Sequence, residues 1–424
     1  MKTLMILGGG TAGTLIARKM YKELDKGTWK IVLVDQDPNH YYQPGYLFVP
    51  FGMYTAKHVV RPKKNFFPRG IDYITAEVER IDADNNRVTL TDGRQLYYNY
   101  LVIATGTDIH PQETEGMLGD GWRKNVHEFY TYEGTLALTE AVKNFKGGRI
   151  AVQITEMPIK CPVAPLEFAF LADWYFTKKK MRDKVEIVYA TPLSGAFTKP
   201  VASQALADML KRKNIQMEAD FATMEVDSSA NVLRSYDNRE IPYDLLVTVP
   251  VNMGAAMIGR SGLGDDLNYV PTNKETLQSN RYPNIFVMGD ATNLPTSKAG
   301  SVIHFQMETV AENMLAHMRN KPLEHHFDGH ALCYIETGYS QAVMIDFSYD
   351  VEPLMGKYPL PVVGPFSLLK STWINHLGKM GFYYMYYEMM LRGIDVPLPT
   401  RYSLVGKEKT PTLNLENERT PKNV

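Results

Sequence analysis

The stretch "TLMILGGGTAGTLIARKM", residues 3–20, places an apolar segment, a glycine-rich turn and an amphipathic segment in succession. Its glycines have the spacing of a dinucleotide-binding turn. Gly8 permits the tight bend, Gly10 lets the backbone approach a pyrophosphate, and Gly13 lets helix and strand pack closely. The next apolar segment, "IVLVD", ends at Asp35, whose carboxylate suits ribose hydroxyls. The pattern therefore predicts a strand–turn–helix–strand unit with a dinucleotide at the helix N-terminus.

The plan of this unit returns later in the chain. Residues 2–106 continue through a hairpin to a buried segment that ends at Thr105 and Gly106, and residues 148–251 repeat the same order of strand, helix and hairpin. The sequence therefore predicts an α/β fold with two Rossmann-like dinucleotide-binding domains in tandem.

Another glycine-containing turn, Gly289-Asp290, follows the apolar segment 285–288 and precedes a long helical pattern. An aspartate beside a helix N-terminus suits the ribityl hydroxyls and phosphate of a flavin, although an ordinary helix-capping loop has the same appearance. Together with the first glycine turn, it favours a flavin site. The predicted organisation is a discontinuous FAD-binding domain, a second Rossmann-like domain, a C-terminal amphipathic helical region and a polar tail: residues 1–112 with 283–325, 113–282, 326–402 and 403–424.

Composition narrows the class of protein. The 424 residues suffice for two or three domains, and 44% hydrophobic with 22% charged residues describes a folded globular chain. The net charge of −1 gives no reason to expect a nucleic-acid partner. No run reaches the roughly 18 apolar residues of a membrane-spanning helix. The N-terminal apolar segment belongs to the fold, so we predict no cleavable signal peptide.

The corresponding turn of the second copy, "TEMPIKCPVAP" at residues 155–165, has no glycine and three prolines, which lack amide donors. The next strand ends "IVYATP", without an acidic residue for a ribose. We therefore expect no NAD(P)H site there. In its place stands Cys161, whose pKa the following helix and Lys160 are expected to lower. A buried structural cysteine is the alternative for Cys161 and for Cys333.

The segments "KCPVAPLEFAF" (160–170), "SKAGSVIHFQ" (297–306) and "ALCYIETG" (331–338) resemble the sulfide:quinone oxidoreductases and the related flavocytochrome c sulfide dehydrogenase flavoprotein. These belong to the two-dinucleotide-fold flavoproteins. The resemblance implies FAD as cofactor, a redox pair formed by Cys161 and Cys333, Glu167 near the flavin and Lys298 at its pyrimidine edge. It also matches Leu332 and Phe382 to a quinone pocket. No metal site is predicted.

The resemblance implies that hydrosulfide attacks the cysteine disulfide, that two electrons pass to the flavin, and that a membrane quinone reoxidises it. The chain departs from the family in two respects. Tyr130 stands where many members have a third cysteine, and Gly134 and Ala196 stand where several have histidines. From the residues themselves we infer that His127, His304 and Glu167 are candidate proton carriers. For the two histidines, a structural role is the alternative.

The last quarter suggests contact with a lipid bilayer surface. Apolar and aromatic residues recur at three- and four-residue spacing and predict one helical stripe: Phe366, Leu369, Trp373, Leu377, Met380, Tyr384, Tyr387 and Leu391. Such a stripe lies either in the protein core or a dimer contact, or in a membrane interface. We expect peripheral membrane association, and the sequence leaves the oligomeric state open, with a homo-oligomer among the outcomes.

The predicted function is FAD-dependent oxidation of sulfide to sulfane sulfur, with electrons passed to quinone. Three alternatives stay open: a sulfide dehydrogenase flavoprotein that donates to a cytochrome, a type II NADH dehydrogenase, and a flavin-bound redox sensor.

Overall fold

The computed structural model describes residues 1–396 and 400–408. The first glycine turn follows the central strand of a five-stranded parallel sheet, at the carboxyl end of that strand. Its strands, in spatial order, are Ile285–Val287, Tyr100–Ile103, Lys2–Leu7, Trp29–Asp35 and Asp72–Thr75. Side chains alternate between two cores: Leu4 and Ile6 join the core on the helical face, whereas Met5 and Leu7 join the core on the other face.

Helices Thr11–Glu23 and Gly300–Met318 pack against each other beside this sheet. An antiparallel meander contributes to the core of the opposite face, with strands Val78–Asp82, Arg87–Leu90 and Gln95–Tyr97. The parallel strands are thus covered on both sides, as apolar strands of this kind require.

The second domain repeats the arrangement. Its parallel sheet has the strands Val126–His127, Leu245–Val249, Gly148–Ile154, Val185–Ala190 and Gln216–Glu218. Its helices are Tyr132–Asn144, Ala164–Lys178 and Pro200–Arg212, and its meander has the strands Thr223–Asp227, Val232–Ser235 and Glu240–Pro242. The predicted α/β fold with two Rossmann-like units in tandem is confirmed.

Short elements connect the larger ones. Two strand pairs, Thr107–Ile109 with Asn252–Gly254 and Asn39–Tyr41 with Val60–Pro62, stand apart from the sheets, and a short helix spans Ala256–Arg260. The 3₁₀ turns are Gln43–Phe48, Ala56–His58, Lys63–Phe66, Pro111–Glu113, Arg182–Lys184 and Gly289–Ala291.

The C-terminal region is a sheet followed by a helix. The strands are Ala331–Gly338, Gln341–Phe347, Gly356–Tyr358, Phe366–Leu368 and Ser371–Thr372. The helix Trp373–Tyr384 continues as a π-helical turn, Met385–Met389, and a 3₁₀ turn, Met390–Arg392. Among the described residues, no helix is long and apolar enough to cross a membrane.

The predicted helical stripe is wrong in its first turns. Leu369 has a φ of 54°, which interrupts a right-handed helix, and the side chain of Thr372 accepts a hydrogen bond from the amide of Asn375 and starts the helix there. The stripe has no single environment either, because Trp373, Leu377 and Tyr384 are 61%, 53% and 69% exposed, whereas Tyr387 and Leu391 are 0% exposed. The predicted C-terminal amphipathic helical region, with one stripe from Phe366 to Leu391, is therefore not confirmed.

The predicted polar tail begins with an anchored segment. The ammonium of Lys407 lies 2.8 Å from a carboxylate oxygen of Asp346, and both side chains are 1% exposed. The amide of Lys357 donates to the carbonyl of Gly406 at 2.8 Å. The predicted polar tail is therefore attached to the C-terminal sheet at Gly406 and Lys407, and residues 409–424 lie outside the described residues.

Candidate active site

The three glycines of the first turn serve two different structural purposes. A Cβ on Gly8 would lie 2.4 Å from the carbonyl oxygen of Ala104, and one on Gly13 would lie 1.8 Å from the oxygen of Gly8. Both positions therefore require glycine for packing. A Cβ on Gly10 would meet no atom within 4 Å, because Gly10 faces an open cavity at the N-terminus of the helix Thr11–Glu23.

That cavity, of about 620 Å³, collects most of the predicted site residues from distant parts of the chain. The predicted residues that line it are Gly8, Gly10, Asp35, Thr105, Gly106, Cys161, Glu167, Asp290, Lys298, Leu332, Cys333 and Phe382. Gly13 and Gly289 do not line it, and the amide of Gly289 donates to Gln306 Oε1 at 2.7 Å. His127 is buried and bonds instead to the carbonyl of Lys124 at 3.0 Å.

Several polar atoms of the cavity wall have no hydrogen-bond partner within the described part of the chain: Asp290 Oδ1, Thr105 Oγ1 and Thr107 Oγ1. Burying an unpaired polar group is costly, so these atoms are suited to a polar ligand. Asp35 is partly engaged, because Lys63 lies 2.8 Å from its carboxylate and the amide of Gly9 donates to it. The residues present fit a dinucleotide cofactor.

Lys298 is placed beside Asp290 at the end of the cavity. Its ammonium donates to the carbonyls of Asp290 at 2.9 Å and Thr292 at 2.7 Å, and it lies 4.0 Å from the ring centre of Tyr269. Burial lowers the pKa of Lys298 to about 8, against the attraction of Asp290. Burial also raises the pKa of Asp290. Burial thus favours the neutral form of each side chain more than water does.

The turn of the second copy is built around Cys161. Cys161 has a φ of 45°, and its amide donates to the carbonyl of Lys298 at 2.8 Å. The preceding amide, of Lys160, donates to Asn252 Oδ1 at 3.0 Å. Both amides are therefore bonded within the protein, whereas a pyrophosphate-binding turn keeps its amides available.

Cys333 reaches the same cavity from the strand Ala331–Gly338, which packs on the helix Ala164–Lys178 behind Cys161. Both thiols are free. Burial raises the pKa of Cys333 well above its usual range, and the sulfur of Cys161 raises it further. The structure thus brings the two cysteines of the chain to one cavity wall.

Burial raises the pKa of Cys161 to about 12, and the carboxylate of Glu167 adds to the effect, while Lys379 opposes it. The expected lowering of this pKa is therefore wrong. Cys161 lies ahead of the helix that begins at Ala164, and the backbone hydrogen bond of Ala164 lowers this pKa, but desolvation outweighs that effect. Lys160 does not assist, because its ammonium donates to the carbonyl of Thr107 at 3.1 Å.

Glu167 is fully buried and has a counter-ion that the sequence did not indicate. Lys379 Nζ lies 2.7 Å from Glu167 Oε1 and 2.8 Å from the carbonyl of Tyr334. Burial raises the pKa of Glu167, and Lys379 and the amide of Glu336 oppose that shift. For Lys379, desolvation lowers the pKa, but Glu167 and Cys161 outweigh it and the net shift is upward.

Sequence reasoning also missed Glu336 and His376. Glu336 is 0% exposed, and its Oε2 lies 2.8 Å from Nδ1 of His376. A carboxylate within the apolar strand "ALCYIETG" was the available signal, because a buried charge requires a partner. His376 and Lys379 are three positions apart on one helix, so they share a face. Their partners, however, could not be read from spacing.

Residues 2–314 match the family model described as pyridine nucleotide-disulphide oxidoreductase. The chain belongs to this family. As a pyridine nucleotide-disulphide oxidoreductase it is an enzyme, an oxidoreductase with the expected α/β architecture.

Within this family, two curated relatives match nearly the whole chain. The mitochondrial sulfide:quinone oxidoreductase of Dictyostelium discoideum is 29% identical over 418 residues, which cover 97% of this chain and 90% of the relative. The corresponding protein of Mus musculus is 28% identical over 397 residues, covering 92% and 86%. The resemblance predicted from sequence motifs is confirmed.

The X-ray structure of the sulfide:quinone oxidoreductase from Aquifex aeolicus has the same fold, with a TM-score of 0.77 at 22% identity and coverage of 92% of each chain. The similarity extends beyond the two Rossmann-like units, since the coverage requires part of the C-terminal region.

Proposed function

We propose that this oxidoreductase uses FAD to oxidise sulfide to sulfane sulfur through Cys161 and Cys333 and passes the electrons to a membrane quinone. One observation carries the proposal. The two cysteines of the chain line the same cavity as the glycine turn and Asp290, although they come from different parts of the sequence. The relatives named as sulfide:quinone oxidoreductases match the chain along most of its length, which supports the same substrates here.

FAD would be held by the residues that fit a dinucleotide. Gly10 and the helix N-terminus behind it suit the pyrophosphate, and Asp35 suits a ribose. Asp290 and Thr105, with their unpaired oxygens, suit the ribityl hydroxyls, and Lys298 suits the pyrimidine edge. When bound, FAD would supply an acceptor for two electrons between the sulfur centre and the quinone.

In the oxidised enzyme we propose a disulfide between Cys161 and Cys333. Hydrosulfide attacks one sulfur of that bond, a new S–S bond forms, and the old one breaks to leave a persulfide on one cysteine and a thiolate on the other. The ammonium of Lys379 lowers the cost of that negative charge in the buried cavity. We assign Cys161 as the sulfur nearer the flavin.

Leu332 and Phe382 give the cavity an apolar wall beside Cys333, which suits the ring of a quinone. A lipid quinone must be delivered from a bilayer, and Trp373, Leu377 and Tyr384 expose apolar surface on the helix that carries Phe382. We propose that this face rests on the lipid surface. In liposome flotation, W373S/L377S should bind less than Y236S, which alters an exposed tyrosine of the second domain; equal binding would refute the assignment.

A type II NADH dehydrogenase activity is disfavoured, because the amides of Lys160 and Cys161 are already bonded within the protein. Anaerobic stopped-flow absorbance separates the two activities. Sulfide should bleach the flavin of the purified protein rapidly, and decylubiquinone should restore its colour. Rapid bleaching by NADH and none by sulfide would overturn the proposed function.

A further inference from the structure

A buried carboxylate connects the active-site cavity with the protein surface. Glu336 lies in the strand that carries Cys333, and one of its oxygens, Oε2, is 2.8 Å from Nδ1 of His376. The other oxygen, Oε1, has no hydrogen-bond partner in the part of the chain that the structure describes. A fully buried carboxylate with one unsatisfied oxygen lowers the stability of the fold, which points to a role for Glu336 other than packing.

The backbone of Glu336 is hydrogen-bonded to a residue that lines the cavity. Its amide donates to Glu167 Oε1 at 2.6 Å, and Lys379 donates to the same oxygen at 2.7 Å. The negative charge of Glu336 also acts on Lys379. Because Glu167 and Lys379 line the cavity with Cys161, the series His376, Glu336, Lys379 and Glu167 runs from the helix Trp373–Tyr384 to the sulfur centre.

His376 is the member of this series that is partly exposed without lining the cavity. The side chain of His376 is 15% exposed, and that of Lys379, which lines the cavity, is 13% exposed, whereas those of Glu336 and Glu167 are each 1% exposed. The exposed residues Trp373 and Leu377 flank His376 on its helix. Imidazole is the side chain that most readily exchanges protons near neutral pH, so His376 is suited to be the outer end of a proton path.

The ionisable groups around His376 are few. The strand Ala331–Gly338 carries Cys333, Tyr334 and Glu336, and the helix Ala164–Lys178 contributes Glu167. The helix of His376 also carries Lys379, Tyr383 and Tyr384. The strand Gln341–Phe347 contributes only Asp346, which is paired with His330 and Lys407. The strands Phe366–Leu368 and Ser371–Thr372 contain no ionisable side chain.

The proposed reaction needs a proton from outside the cavity. Oxidation of hydrosulfide to sulfane sulfur releases one proton and two electrons, and reduction of a quinone to a quinol consumes two protons and two electrons. The sum is hydrosulfide, quinone and one proton giving sulfane sulfur and quinol. One proton must therefore enter the buried site in each turnover.

We infer that His376 and Glu336 bring this proton from the surface to the Lys379–Glu167 pair at the cavity. The inference rests on the proposed function. The proton moves from Nδ1 of His376 to Oε2 of Glu336, and the unpaired Oε1 of Glu336 then releases it toward the pair that lines the cavity. His376 regains a proton from solvent, so the path is reset and no other reactant is required. His376 and Glu336 do not line the cavity and act through Glu167 and Lys379.

The test follows the two half-reactions separately by anaerobic stopped-flow absorbance in wild type, H376A, H376Q and E336Q. The matched control is H326A, because His326 is a surface histidine 3.0 Å from the carboxylate of Glu275, outside the cavity. Bleaching by sulfide should stay within about twofold of wild type. Return of flavin colour with decylubiquinone should slow at least tenfold at pH 8 in the three active variants but not in H326A.

Two further readouts exclude a merely structural role. Phenol red absorbance should show that proton uptake during the quinone step is delayed in H376A, and added imidazole should restore the rate in H376A but not in E336Q. H376Q, which can keep a hydrogen bond to Glu336, serves if H376A loses FAD or folds poorly.

Unchanged quinone-step rates in H376Q and E336Q, equal slowing by H326A, or equal slowing of both half-reactions would overturn the proton path and leave the proposed function intact. Failure of sulfide to bleach the wild-type flavin would overturn both.

Discussion

The turns after the first strand of each Rossmann-like unit occupy corresponding positions but present different chemistry. In the first unit, Gly10 leaves the helix N-terminus open to the cavity. In the second unit, the amides of Lys160 and Cys161 are bonded to protein oxygens, and a sulfur faces the cavity instead. The comparison teaches that one backbone plan supports a cofactor cradle or a thiol site, according to whether the turn keeps its amides free.

The largest effect is expected from variants that remove the sulfur of one of the two cysteines. C161A and C333A should each lower sulfide-driven quinone reduction by on the order of 10³-fold or more, because the proposed disulfide needs both residues. The flavin absorbance of both variants should remain, since the cofactor cradle is in the other turn. Steady-state assays of the holoenzyme measure the rate, and full turnover in both variants would contradict the sulfur site.

The glycines of the first turn can be separated by G10A and G13A. The added Cβ of G10A meets no protein atom but enters the cavity, so FAD affinity of the apoprotein should fall roughly 10- to 100-fold with its stability unchanged. The Cβ of G13A meets the oxygen of Gly8 at 1.8 Å, so G13A should lose about 1–3 kcal/mol of stability. Flavin fluorescence titration and urea unfolding measure the two effects, and identical behaviour of the variants would contradict these assignments.

The environment of the second turn can be tested through the thiol itself. The pKa of Cys161 is raised to about 12 by burial and then by Glu167. In the cofactor-free C333A protein, alkylation of Cys161 by iodoacetamide should therefore rise about tenfold for each pH unit between pH 7 and 10.

Adding E167Q should accelerate this alkylation about tenfold at pH 8, the effect of a one-unit fall in the thiol pKa. D173N is the control, because Asp173 is a buried acid on the same helix that is paired with Arg182 and Lys213. No difference between E167Q and D173N would show that Glu167 does not act on the thiol.

The smallest expected effect concerns Lys298, whose carbonyl accepts from Cys161 and whose ammonium lies beside Asp290. Its pKa is lowered to about 8 in the folded protein from 10.5. Between these values the unfolded chain binds more protons, so stability rises with pH. From pH 7.5 to 9.5 the cofactor-free protein should gain about 1–2 kcal/mol relative to K298M in urea unfolding, and parallel pH profiles would contradict the shift.

The sequence by itself determined the α/β fold and its repetition, and most of the site residues that it predicted line the cavity. Glycine spacing and apolar alternation are local patterns, and a parallel sheet brings the ends of its strands to one edge. The absence of glycine around Cys161 is also a local feature of the sequence. The difference between the two turns could therefore be predicted before the structure was known.

Only the tertiary structure decided the electrostatics of the site. Lys379 is 212 positions from Glu167, so no local pattern pairs the two residues. The same holds for the burial that raises the pKa of Cys161 and for the pairing of Lys407 with Asp346. Such pairs depend on where distant elements pack, and desolvation depends on everything that surrounds a group. Neither quantity is written in the spacing of residues along the chain.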